Sequence, residues 1–135
     1  MEITRSIKLD HEWEAVNTIL SDPEFVIPRV FPPVKSITVN GSSFRGSGKY
    51  AMRDFEISGT VFKGTEIRYV FQVKSSGSGT GRLTFAPKDD ELILKFEYEG
   101  AFERLFSLTS RNRWIGGFLE KLNEEIRLER IRRKI

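Results

Sequence analysis

The chain has no cysteine and a single histidine, His11, among its 135 residues. Without cysteine there are no disulfides, no thiolate-bound zinc, no iron–sulfur clusters and no thiol nucleophile. One imidazole leaves no two-histidine metal motif, and any serine triad would need His11 as its base. These residue types lead us to expect no catalytic residue, no metal and no cofactor. Long apolar runs are missing too: the longest uncharged stretch, Ser36 to Phe44, falls far short of the ~20 residues that span a bilayer. The opening Met1-Glu2-Ile3-Thr4 has neither the basic nor the apolar part of a secretory signal, so a cytoplasmic location is expected.

A net excess of positive charge is lacking over most of the chain. The net charge is +3 at pH 7, yet Arg127 to Ile135 holds five basic residues and one acid, so residues 1–126 sum to −1. Nucleic-acid binding needs a basic patch across a folded face and is not expected. What the chain does have is phenylalanine, 11 of 135 residues, within an aromatic total of 12%. The length suits one domain over residues 1–135.

Periodicity supplies the elements. Residues 2–9 alternate, with Ile3, Ile7 and Leu9 on one side, as a half-buried strand does. Asp10 stands as an N-cap before Trp13, Val16, Ile19 and Leu20 at helical spacing, and Asp22-Pro23 opens a second short helix to about Val26. From Val34 the period becomes two, with turns at Asn40-Gly41, near Arg53-Asp54, at Lys63-Gly64, over Ser75–Gly81 and over Pro87–Asp90, and a last strand over Glu91–Phe106. From about Ser107–Ser110 the stripe Trp114, Ile115, Phe118, Leu119, Leu122, Ile126 and Ile131 predicts a helix of about 25 residues, roughly 37 Å long. The order strand, two short helices, six antiparallel strands and long helix implies α+β.

Seven strands at about 4.8 Å make a sheet about 34 Å wide, whereas a helix with its side chains is only about 10–12 Å across. One helix cannot cover that face. A curled sheet would leave a space to be filled by large side chains, water or a bound apolar molecule.

This order, together with Asp10-His11-Glu12-Trp13-Glu14-Ala15-Val16, Leu20-Ser21-Asp22-Pro23-Glu24-Phe25, Val30-Phe31-Pro32-Pro33-Val34 and Phe118-Leu119-Glu120-Lys121-Leu122, resembles the START-like (SRPBCC) superfamily. That group includes birch-pollen-allergen relatives, polyketide cyclases and lipid-transfer domains, and the resemblance covers essentially the whole chain. It implies a helix-grip fold: a seven-stranded curved antiparallel sheet wrapped around the long C-terminal helix, with two short helices after strand 1 and an apolar pocket between sheet and helix.

The residues expected on the concave face are Tyr69, Phe71, Leu83, Phe85, Leu94, Phe96, Tyr98, Trp114, Phe118 and Leu122, each of which is either cavity lining or plain core. The two tyrosines need hydrogen-bond partners that a ligand head group or trapped water would supply. Arg5 and Arg104 interrupt apolar faces, the latter between Phe102 and Phe106, and either anchor a carboxylate head group or form internal pairs. Gly116-Gly117 inside the helical stripe either leaves room for a ligand, or reflects close packing or a helix that begins only there. His11 is expected to be exposed, with no adjacent nucleophile. Ser43–Tyr50 departs from a phosphate loop at both ends and lacks the following helix.

These features predict non-catalytic binding of a hydrophobic small molecule, a fatty acid or other long-chain lipid, between sheet and helix. The alternative is a polyketide cyclase or aromatase-like enzyme, which requires polar groups facing the cavity; Asp54 and Glu56 are candidates whose register the pattern leaves open. Membrane-surface contact through Arg127, Arg130, Arg132, Arg133 and Lys134 is a third reading, against a tail that simply complements the helix macrodipole.

Overall fold

A computed structural model describes residues 1–104, 107 and 110–135, with backbone only at 110–112. The chain runs β1 (Glu2–Lys8), α1 (Trp13–Leu20), α2 (Pro23–Val30), β2 (Val34–Asn40), β3 (Ser43–Tyr50), β4 (Arg53–Phe62), β5 (Ile67–Lys74), β6 (Ser78–Lys88) and β7 (Glu91–Gly100). A π-helical segment, Ser110–Ile115, then leads into α3, Gly116–Arg133. The seven strands form one antiparallel sheet in the order β1-β7-β6-β5-β4-β3-β2, so the first strand returns beside the last. This is the expected helix-grip architecture: a curved sheet closed on its concave side by α3, with α1 and α2 inserted after β1. Among the described residues no helix is long and apolar enough to cross a membrane.

The concave space is filled by rings. Phe31, from the α2–β2 connection, stands 5.4 Å from Phe71, 5.9 Å from Phe96 and 6.2 Å from Trp114, centroid to centroid. Phe71 stacks on Phe96, and a second series runs Phe44, Tyr69, Phe85, Phe118. Such interlocking supplies the bulk that one thin helix lacks against a broad sheet.

Several boundaries differ from the pattern. Residues Ser78–Gly81, expected in a flexible connection, pair in β6, with Gly79 opposite Val73 and Gly81 opposite Phe71. Their glycines serve packing: a methyl at Gly81 would collide with the Phe71 ring, and one at Gly79 with the Tyr98 hydroxyl. The last strand stops at Gly100, which takes φ +110°, and Glu103 and Arg104 are helical; Phe106 lies outside the described residues. α2 continues through Pro28 to Val30 because Phe25, Val26, Ile27 and Val30 are all buried, and that burial outweighs the lost backbone bond. Asp10 does not cap α1. Its N–H instead donates to Asn123 Oδ1, and Glu12 precedes the helix without a side-chain cap. Asp22 does cap α2, accepting from Glu24 N at 3.0 Å. Ile131 is 65% exposed, so the buried stripe of α3 ends at Ile126. Edge strand β2 carries a register shift between Val34 and Ser36, at Lys35.

Polar ties hold α3 in place. Asn123 Nδ2 donates to Lys8 O, Arg130 grips both carboxylate oxygens of Glu12 at 2.8 and 3.0 Å, and Arg133 reaches Asp22 at 2.6 Å. Arg29 stacks on Phe25 and meets Glu125 at 3.4 Å, joining α2 to α3. His11 is half-buried rather than exposed: its Nε2 donates to Asn123 O, leaving Nδ1 to accept from Arg130.

The β3–β4 turn places Ala51 at φ 52° and Met52 at φ 65°, a left-handed pair better suited to Asn-Gly. The double change Ala51→Asn, Met52→Gly should raise unfolding free energy by about 1 kcal/mol, read from the urea midpoint. The Arg132 hydrogen bond, then Arg133, holds the Glu129 carboxyl down at about 2, with burial opposing. A lowered folded value contributes stability above the ordinary 4.5 that is lost as pH falls toward 2. Glu129→Gln should therefore flatten the decline in stability across that window, measured by denaturant unfolding at stepped pH.

Candidate ligand site

An apolar pocket opens at one end of the grip, between the β3–β4 hairpin, the Phe31–Val34 turn and the segment leading into α3. Phe31, Val34, Tyr50, Phe55, Phe102 and Trp114 form most of its wall, with Arg53 and Ser75 at its polar edge. Tyr50 and Arg53 face one another across the strained turn, and the Tyr50 ring meets Trp114 edge-on at 5.2 Å. Gly48 permits the Pro33 carbonyl to lie directly on the sheet, which brings the Phe31 turn down over the pocket. The cavity holds about 30 Å³. Drug-sized ligands occupy roughly 300–1,000 Å³, so this is room for about one water molecule.

A second recess lies on the other side of Trp114, in the seam between α2 and α3. Pro28, Pro32, Trp114, Phe118 and Leu122 make its apolar surface, Arg29, Arg113, Lys121 and Glu125 its charged margin, and its volume is about 270 Å³. Gly117 lies within it, and a Cβ there would meet nothing within 4 Å. The close-packing account of this glycine is therefore not what the structure shows.

All ten residues expected on the concave face are buried, between 0% and 6% exposed. They are mostly packed against one another. Trp114 alone among them borders the pocket at the open end, and Trp114, Phe118 and Leu122 border the seam. The tyrosine hydroxyls are satisfied within the protein: Tyr69 donates to Leu20 O at 2.7 Å and Tyr98 to Ala101 O at 2.6 Å. Burial, then the Asp22 charge, drives the Tyr69 phenol far above its usual range; burial, then Glu103, pushes Tyr98 up to about 12. Both stay neutral donors. Among the described residues no buried side-chain polar atom lacks a partner, so none of them is an orphaned group awaiting a ligand.

Arg5 is exposed and donates to Thr4 O at 3.0 Å; Arg104 is exposed in the segment after β7. Neither borders either recess. Arg53, not singled out in the sequence, shares strand parity with Phe55 and Ile57 and donates to Ser76 Oγ at 2.7 Å. Asp54 and Glu56 have the opposite parity and are exposed, which settles their register on the outer face. Sequence reasoning also missed Phe31, Tyr50 and Phe55; the signal available was an aromatic just before Pro32-Pro33 and a Tyr-x-x-Arg-x-Phe run spanning an irregular turn. The basic tail is largely neutralised, with Arg127 on Glu124, Arg130 on Glu12, Arg132 on Glu129, and Arg133 on Glu129 and Asp22.

Comparisons with known proteins place the chain among relatives of the same fold. A protein from Sulfolobus tokodaii described as hypothetical is 31% identical, with a TM-score of 0.77 and coverage of 98% of this chain and 99% of that one. A conserved protein from Geobacillus kaustophilus is 16% identical (TM-score 0.68; 93% and 95% covered), and the KanY protein, solved by NMR, is 19% identical (TM-score 0.65; 94% and 97% covered). These two show the fold alone. No curated protein matches. A family model described only as "-like" matches residues 1–135. With that match over its whole length and a relative above 30% identity covered almost completely, the chain belongs to this "-like" family and is kin to the Sulfolobus tokodaii protein.

Proposed function

We propose that this protein is a single START-like (SRPBCC) domain that binds a hydrophobic small molecule, a fatty acid or other long-chain lipid, between the sheet and α3, without catalysing a reaction on it, in the cytoplasm. The observation that carries the reading is the apolar pocket at the open end of the grip, walled by Phe31, Tyr50, Phe55 and Trp114. Its small volume defines how binding works. A chain enters only by moving rings, and Trp114 is carried by the irregular π-helical segment rather than by the sheet. The free energy of binding comes from burying the chain's apolar surface, less the cost of moving those rings.

A long-chain acid fits because it needs apolar walls and a cation. Among the described residues, Arg53 on the sheet side of Trp114, and Arg113 and Lys121 on the seam side, have no carboxylate partner. The polyketide cyclase reading asks for an acid and a base converging on the cavity, and the pocket wall offers only Tyr50 and Arg53 as polar candidates besides Ser75. Membrane contact through the tail is weakened by the ion pairs that neutralise it.

Native mass spectrometry after mild purification, with calorimetric titration of dodecanoate, tests the proposal. We expect one bound apolar molecule per chain and saturable uptake. A bare polypeptide mass together with no uptake of dodecanoate would refute it.

A further inference from the structure

The pocket at the open end is too small for any chain, and the seam between α2 and α3, at about 270 Å³, nearly reaches the size of a ligand site by itself. Trp114 is the one side chain that borders both. Gly117, one turn into the same face, carries the cost of a glycine at the start of a helix while its missing side chain relieves no contact. What the absence does is keep the floor of the seam open. At the margin, Arg29 is already committed to Glu125 and to the Phe25 ring. Arg113 and Lys121 are both exposed, and among the described residues no carboxylate pairs with either. Four arginines along α3 all hold carboxylates, so Lys121 on that helix and Arg113 in the π-helical segment before it stand out.

We propose that the α2–α3 seam is the head-group end of the ligand site: a long-chain carboxylate lies over Gly117 with its head group against Arg113 and Lys121, and its chain displaces Trp114 to reach the pocket behind. This rests on the reading of the protein as an apolar-ligand binder and adds where the ligand enters, which way it points and why its head group is an anion. The seam carries the mixed polar and apolar surface that an amphiphile's head requires. The pocket behind Trp114 carries the aromatic walls that suit its tail. Trp114 meets Phe31 and Tyr50, and the stacked Phe71 and Phe96 rings lie on the far side of Phe31.

The test compares dodecanoate with dodecanol, by calorimetry on the full chain. In Gly117→Leu the new side chain occupies the seam; we expect the dissociation constant for dodecanoate to rise at least tenfold. The same variant should melt no lower than the parent, because a Cβ there meets nothing and leucine is the better helix former. In Arg113→Gln/Lys121→Gln, dodecanoate should weaken several-fold while dodecanol is unchanged, a split that a merely structural change would not produce. If both variants bind dodecanoate as the parent does, the seam is not the site, although the apolar-ligand reading survives. If the parent binds neither probe, that reading and this inference fall together.

Discussion

The structure depends on filling the volume between a seven-stranded sheet and one helix. The sheet is about three times wider than the helix laid on it, and the difference is made up by aromatic side chains from both. Phe31 is the keystone. It comes from neither sheet nor α3 but from the turn after α2, and it touches Phe71 and Phe96 on the sheet and Trp114 before α3. Its placement couples the two short helices to the rest of the core. It also explains why a chain so rich in phenylalanine has so little open space inside.

Orientation of α3 is decided by polar contacts at its far end. Asn123 and Arg130 bind the β1–α1 connection, Arg133 binds the cap of α2, and Arg29 returns the contact from α2. Ion pairs that keep contact with solvent, as these half-buried ones do, contribute little individually to stability. Their value is directional: Glu12 and Asp22, on two other segments, and Glu125, on α3 itself, register one helix. Toward the start of α3, Arg113 and Lys121 have no such tie among the described residues, and they border the seam beside the Arg29–Glu125 pair.

Much of the architecture was legible in the sequence, since strong alternation such as Ile67-Arg68-Tyr69-Val70-Phe71 and the Asp22-Pro23 helix start report directly on burial and capping. The misread places are those where long-range packing overrides local preference. Gly79 and Gly81 look like a loop because glycine weakens strands, yet here it makes room for Tyr98 and Phe71, which lie far away in sequence. Pro28 looks like a helix terminator, but four buried neighbours keep its helix intact. The ten concave-face residues were placed correctly as interior by their period. Period cannot tell an interior that is full from one that is hollow, because that depends on how rings from distant segments interlock. The recesses went unseen for the same reason: Phe31, Tyr50 and Trp114 converge only in three dimensions.

The sheet is open at both ends of its strand order, since β1 and β2 each have one unpaired edge. Bare backbone donors and acceptors of that kind invite a neighbour's strand to add on. On β2 the irregularity at Lys35 breaks the ladder spacing between Val34 and Ser36, and the lysine is solvent-exposed. An incoming strand would find its hydrogen-bonding partners out of step and a charge in its path. That single misalignment makes the β2 flank a poor template for a further strand.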